Sequence, residues 1–242
     1  MIFDLDGTLT ESKAALTSEM GIVLARLLEQ MPVAIMSGGS YGQFQKQLLA
    51  NMPLDARYEN LYLFPTSAAQ CYQWRDSAWT LAYDNPLTDD EKARILAALD
   101  ESLREVHLEQ PLQLWGAQIE DRGSQITWSA LGQEAPYDVK KTWDPDMQKR
   151  APLRSALIKR LPRFSIRVNA TSSIDITHTG INKAYGVQKL SELLDIPIAD
   201  LLYVGDALFP GGNDEIVKET GIPTEQVAGP ADTARAIARV LA

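Results

Sequence analysis

Two aspartates flank one leucine in the run Asp4-Leu5-Asp6-Gly7-Thr8, directly after the apolar residues Ile2 and Phe3. A carboxylate pair at a strand end, followed by a glycine turn, can divide its work. One side chain attacks or binds a metal ion while the other exchanges a proton. A second acidic run, Gly205-Asp206 through Asn213-Asp214, follows the apolar stretch Leu201 to Val204. If the strands that begin the two halves are neighbours, Asp4, Asp6, Asp206 and Asp214 converge. Four carboxylates in one cleft repel strongly unless a hard cation neutralises them. Oxygen ligands with no Cys or His nearby favour Mg2+ over Zn2+.

A phosphate group also needs donors. Ser37 ends the apolar run Val33 to Met36, and the turn at Gly38-Gly39 exposes main-chain N–H groups. Lys183 opens a helix candidate. Each feature taken singly has a plainer reading: a solvated Asp pair, a tight turn, a surface lysine. Together, at four strand ends in this order, they form a specific set.

These residues need a scaffold that brings distant strand ends together. Residues 1–50 alternate strand and helix signals: Ile2 to Leu5, Thr17 to Glu29, Val33 to Met36, then Gln43 to Ala50. That order implies a parallel sheet with helices on its faces, and such sheets hold ligands at the C-terminal strand ends. The middle reads differently. A helix is predicted over Glu91 to Val106, strands over Leu112 to Glu120 and Gln125 to Leu131, and a helix pair over Lys140 to Ile158, broken at Pro145 and Pro152. Phe164 to Val168 and Ser173 to Thr177 alternate like strands of an antiparallel sheet with one covered and one open face. The parallel pattern returns with Ala184 to Leu194, Leu201 to Val204, Glu215 to Thr220 and Ala231 to Leu241. The fold class is therefore α/β: a Rossmann-like core made of 1–79 and 179–242, with an inserted α+β domain over 80–178.

The 242 residues are 45% hydrophobic and 23% charged, ordinary for a globular protein. A net charge of -9 gives no general attraction to phosphate backbones, so nucleic acid is not expected as a partner. No run approaches the roughly 18 apolar residues of a membrane span, so no membrane partner is expected either. The N-terminus lacks the basic and apolar pattern of a signal peptide. The single Cys71 cannot form an internal disulfide and fits a reducing compartment, so a cytoplasmic location is expected.

The order Asp-x-Asp-Gly-Thr, strand-end Ser, Lys, then Gly-Asp…Asn-Asp resembles the haloacid dehalogenase (HAD) phosphotransferase superfamily. The long insertion before Lys183 resembles members with a large C2-type cap. Leu5-Asp6-Gly7-Thr8-Leu9-Thr10, Gly38-Gly39-Ser40 and Pro210-Gly211-Gly212-Asn213-Asp214-Glu215-Ile216 look like the eukaryotic-type phosphomannomutase family, as do Ile119-Glu120-Asp121-Arg122 and Ser173-Ile174-Asp175.

This resemblance implies a nucleophile at Asp4 that becomes an aspartyl-phosphate, and an acid/base partner at Asp6. Asp4, the Asp6 main-chain carbonyl and Asp206 would hold Mg2+, with Asp214 behind them or orienting Lys183. Thr8, Ser37, Gly38 and Lys183 would bind the transferring phosphoryl group. In the inserted cap, Arg122, Ser173 and Asp175 match positions that contact the sugar phosphate. Cap closure would exclude water. A homodimer through the cap is a further partner that the resemblance allows.

The chain also departs from this pattern. Phosphomannomutases clamp the second phosphate of the sugar with several arginines. Here Gln133 and Lys13 stand where two of them are expected. Neither reproduces the bidentate fork of arginine. A mutase must retain a bisphosphate while it reorients, whereas a phosphatase need only admit water. The expected activity is therefore a sugar-phosphate phosphatase, with a hexose phosphomutase as the alternative. A non-catalytic HAD-fold binding protein is disfavoured because both Asp4 and Asp6 are retained. A receiver-type signalling domain is disfavoured by length and by the insertion. His107, His178 and the five tryptophans read as surface or packing residues, and Lys140-Lys141 and Lys149-Arg150 as a solvated helix face.

Overall fold

The computed structural model describes residues 1–109, 111–169 and 172–242. In chain order the first part carries β1 (Ile2–Asp4), α1 (Ser18–Gln30), β2 (Val33–Met36), α2 (Tyr41–Gln47), β3 (Leu61–Phe64), β4 (Gln70–Arg75) and β5 (Ala78–Asp84). Then follow α3 (Asp89–Val106), β6 (Ile119–Asp121), β7 (Ile126–Ser129), α4 (Tyr137–Trp143), α5 (Arg150–Arg160), β8 (Phe164–Asn169) and β9 (Ser173–His178). The chain ends with α6 (Lys183–Leu194), β10 (Tyr203–Gly205), β11 (Thr224–Gln226) and α7 (Pro230–Leu241). Two compact units result: Met1–Asp84 with Ile181–Ala242, and Asn85–Gly180. A boundary at 79/80 would cut through β5, which belongs to the first unit because it pairs with β4 along its whole length.

The first unit is built on a seven-stranded sheet in the order β11-β10-β1-β2-β3-β4-β5. β11, β10, β1, β2 and β3 run parallel, and the last two strands are antiparallel additions. β1 is only three residues long, yet it is paired on both sides. Strands buried on both faces need continuous apolar runs, and β2 has one. Alternation along the strands sends Phe3, Ile35, Leu63 and Val204 to one face, where Leu24, Leu27 and Leu28 of α1 and Ile237 of α7 cover them. Ile2, Ala34, Met36 and Phe64 point to the other face, against Val187 and Leu190 of α6. Helix starts are fixed locally: Thr17 Oγ1 accepts from the Met20 N–H at 3.2 Å, and Asn182 Oδ1 accepts from the Tyr185 N–H at 3.0 Å.

The second unit packs α3 and α5 on a four-stranded antiparallel sheet, order β6-β7-β9-β8. Thr88 and Glu91 form a reciprocal capping box at the start of α3. The strand predicted over Leu112 to Glu120 is confined to Ile119–Asp121; the residues before it lack ladder partners. Pro152 does not break a helix, because it falls in the first turn of α5, where no intrahelical N–H is needed. The open polar face expected for β9 is also corrected: Ser173, Asp175 and Thr177 are buried, as are Ile174 and Ile176. Among the described residues, no helix is long and apolar enough to cross a membrane.

Candidate active site

β1 ends at Asp4, β10 ends at Gly205, and the two strands are adjacent, so the loops leaving them share one edge of the sheet. Carboxylate oxygens of Asp4, Asp206 and Asp214 lie within 4.8 Å of one another. Lys183, the first residue of α6, donates from Nζ to Asp4 Oδ1 and, at 2.5 Å, to Asp214 Oδ1. Asp214 also accepts from the Tyr203 hydroxyl at 2.6 Å and from the Ala207 N–H at 3.1 Å. It is fully buried and saturated with donors, which suits a carboxylate that orients Lys183.

The hydroxyl of Thr8, a candidate phosphate ligand, is bonded to Asp206. Thr8 Oγ1 donates to Asp206 Oδ1 at 3.1 Å and accepts from the Asp206 N–H at 3.0 Å, so both of its roles are taken. Gly7 permits this approach for two reasons. Its φ is +86°, and a Cβ there would sit 2.6 Å from Asp206 Oδ2.

Burial pushes the Asp4 carboxyl well above its ordinary value; Lys183 opposes the rise and Asp214 adds to it. Burial also disfavours the Lys183 ammonium, but Asp214 and Asp4 more than offset this and hold it protonated. The Asp206 carboxyl is raised by burial and then by Asp214. Three carboxylates less one ammonium leave a formal excess of two negative charges. A divalent cation bound by oxygen donors would cancel that excess and favour the ionised form of Asp4, so the donor set fits Mg2+.

Asp6 is not part of this carboxylate cluster. Its Oδ1 accepts from the Lys13 main-chain N–H at 2.6 Å and from Gln47 Nε2 at 2.9 Å. The Lys13 side chain itself is exposed. Ser37 lies buried at the end of β2, with its hydroxyl accepting from the Gly39 N–H at 3.1 Å, and Gly38 sits half-buried between them.

Sequence reasoning missed the support of this loop. Thr66, Ser67 and Ala68 hold three successive left-handed conformations, with φ of 51°, 56° and 68°. Each costs roughly 1–2 kcal/mol for an L-residue. Their N–H groups repay part of that cost: Thr66 donates to Gly39 O at 2.8 Å and Ser67 to Ser37 O at 2.9 Å. No glycine or asparagine marks this turn, so no local signal announces it. Gln43 and Gln47 were missed too, for they read as ordinary polar helix residues.

The second unit holds the remaining expected residues. Arg122 is forked onto Glu120 Oε2, from Nε at 2.9 Å and Nη2 at 2.6 Å. The Gln133 amide donates to Gln118 O at 3.2 Å and Thr127 O at 3.4 Å. Asp175 Oδ1 accepts from Thr127 Oγ1 at 2.8 Å, and Ser173 O accepts from Arg150 Nη1 at 3.0 Å. Neither Lys140 nor Arg150 lies on a solvated face: both are buried, with Lys140 Nζ donating to Gln133 O at 2.9 Å and Arg150 Nε to Asp144 Oδ2 at 2.6 Å. A separate cavity of 620 Å³, with Trp115, Leu131 and Trp143 in its wall, contains none of the expected site residues.

The profile of a family described as haloacid dehalogenase-like hydrolase matches residues 1–214. The phosphomannomutase of Saccharomyces cerevisiae is 24% identical over 241 residues, covering 97% of this chain and 91% of its own. That of Triticum aestivum is 26% identical over 239 residues, covering 96% and 91%. Among solved structures, an N-terminally truncated Plasmodium falciparum IMP-nucleotidase superposes with a TM-score of 0.73 at 20% identity, over 99% of this chain and 69% of that one. A haloacid dehalogenase-like hydrolase from Bacteroides thetaiotaomicron gives 0.63 at 19% identity, over 99% and 98%. The two structures share the fold.

Proposed function

We infer the reaction from a premise that the match over residues 1–214 carries: the chain belongs to the haloacid dehalogenase-like hydrolase family. The reading best supported is phosphoryl transfer on a small sugar phosphate through an aspartyl-phosphate, with water as the final acceptor. The observation that carries it is the meeting of Asp4, Asp206 and Asp214 around the Lys183 ammonium.

Asp4 Oδ attacks phosphorus, and the bond from phosphorus to the sugar oxygen breaks. Asp6 gives that oxygen a proton. Asp6 then takes a proton from water, whose oxygen attacks the aspartyl-phosphate and releases Asp4 and inorganic phosphate. Lys183 and Ser37 would stabilise the equatorial oxygens, which carry the charge in such transfers. Asp4, Asp206 and the Asp6 main-chain carbonyl would hold Mg2+, which when bound supplies charge neutralisation for phosphate and nucleophile. Asp214 would keep Lys183 aimed at Asp4.

Hydrolysis is favoured over isomerisation by the distal residues. Gln133 is neutral, Lys13 offers no fork, and the Arg122 guanidinium is already forked onto Glu120. The phosphomutase reading draws support from the phosphomannomutases that match along nearly the whole chain. Incubation with mannose 1-phosphate, with and without a hexose bisphosphate activator, separates the two. Inorganic phosphate as the main product is expected; mannose 6-phosphate as the main product would replace this reading with the mutase. Asp4→Asn should abolish either activity, and turnover retained by it would dismiss both.

A further inference from the structure

Asp6 sits on the loop after β1, and besides the Lys13 N–H of that loop it is reached by two side chains of α2. Gln47 is buried, and its Nε2 donates one hydrogen to Asp6 Oδ1 at 2.9 Å and the other to Thr10 Oγ1 at 2.8 Å. Its Oε1 accepts from Gln43 Nε2 at 2.8 Å. Every polar atom of the Gln47 amide therefore has a partner, and this fixes its orientation. A flipped amide would turn Oε1 toward the Asp6 carboxylate and Nε2 toward the Gln43 donor, two repulsive contacts in place of attractive ones.

Gln43 depends in turn on the phosphate loop. A Cβ at Gly39 would lie 2.6 Å from Gln43 Cδ, so the glycine leaves room for this side chain. Gln43 Nε2 also approaches Asp6 Oδ2 at 3.5 Å. The two carboxylate oxygens are thus unequal. Oδ1 takes two short N–H donors, from Gln47 and from Lys13. Oδ2 takes one long contact. An oxygen that already accepts two hydrogens is a poor place for a third, so the exchangeable proton belongs on Oδ2.

We propose that Gln47, braced by Gln43, is the positioning residue of the acid/base carboxylate: it commits Asp6 Oδ1 and so presents Oδ2 for proton exchange with the leaving oxygen. This rests on the phosphoryl-transfer reading above. General acid–base assistance is worth about 10²–10⁴-fold, but only where the leaving oxygen needs a proton. The sugar oxygen of mannose 1-phosphate needs one; p-nitrophenolate, a far better leaving group, does not.

Gln47→Leu and Gln43→Ala are each assayed on both esters with Mg2+, beside the parent, Asp6→Asn and Asp4→Asn. For Gln47→Leu, the single-turnover rate of leaving-group release from mannose 1-phosphate should fall about tenfold or more while that from p-nitrophenyl phosphate stays within about twofold, the same split as in Asp6→Asn. The later attack of water uses Asp6 whichever ester delivered the phosphate, so this first half-reaction is the one read. Gln43→Ala should show the split in weaker form, and it decides the question if thermal melting shows that Gln47→Leu has not folded. Equal losses on both esters, or no loss on either, overturn the proposal. Activity of Asp4→Asn on both esters would instead overturn the reading beneath it, so the two failures are distinct.

Discussion

The Lys183 ammonium and the Asp214 carboxylate, 31 residues apart in the chain, meet at 2.5 Å in a fully buried pair. Lys183 donates to Asp4 as well, so a single cation serves two carboxylates. Lys183→Met should leave both negative charges uncompensated. Breaking a buried pair from one side costs about 3–5 kcal/mol. A clear drop in thermal midpoint and at least a hundredfold loss of turnover are expected. A variant that melts and turns over like the parent would show that Lys183 is a bystander.

Asp206 accepts from the neutral Thr8 hydroxyl at 3.1 Å, whereas Asp4 and Asp214 both accept from the Lys183 ammonium. Chelation by EDTA should silence the parent enzyme, and Mg2+ should restore it. Asp206→Asn should demand at least tenfold more Mg2+ for half-maximal activity. An unchanged Mg2+ titration would remove Asp206 from the ion's ligands.

Among the described residues, Gln133 donates to the main-chain carbonyls of Gln118 and Thr127, which a guanidinium can also do. Gln133→Arg adds a fork suited to a second phosphate. One charge-assisted contact contributes about 1.5–3 kcal/mol. Calorimetry should therefore find tighter binding of mannose 1,6-bisphosphate by about tenfold or more. Identical affinity would end the account that links this position to hydrolysis.

Asp144 binds Arg150 Nε at 2.6 Å and also caps α5 through the Lys149 and Arg150 N–H groups, at 2.8 and 3.2 Å. Both side chains are buried. Asp144→Ala strands the guanidinium and uncaps the helix, so a loss of about 3–5 kcal/mol is expected in denaturant unfolding. A loss below about 1 kcal/mol would contradict the importance assigned to this pair.

Glu91 titrates below the ordinary glutamate value, chiefly because it accepts from the Thr88 N–H, with His178 also favouring its charge. A depressed folded-state pKa stabilises the fold above the unfolded value of 4.5, and that stability is lost as pH falls through the folded pKa. Between about pH 6 and about pH 3 the melting temperature of the parent should fall more steeply than that of Glu91→Gln. Parallel curves would refute the assignment.

The sequence by itself determined the class of the fold and the residue types of the candidate site. Asp4-Leu5-Asp6-Gly7-Thr8, Ser37-Gly38-Gly39 and Gly205-Asp206 are contiguous runs at strand ends, and both their periodicity and their residue types can be read locally. β4 and β5 left no comparable mark, because they are partly exposed strands added to a sheet whose parallel centre carries the apolar signal. Only the tertiary structure decided how each group is held. Gln47 reaches Asp6 across 41 residues, Thr8 reaches Asp206 across 198, and the left-handed turn at Thr66–Ala68 supports Ser37 through main-chain hydrogen bonds alone. Such contacts depend on where helices and strands end in space. Local propensity has no term for that, and a glutamine on a helix looks the same in sequence whether it faces water or a carboxylate.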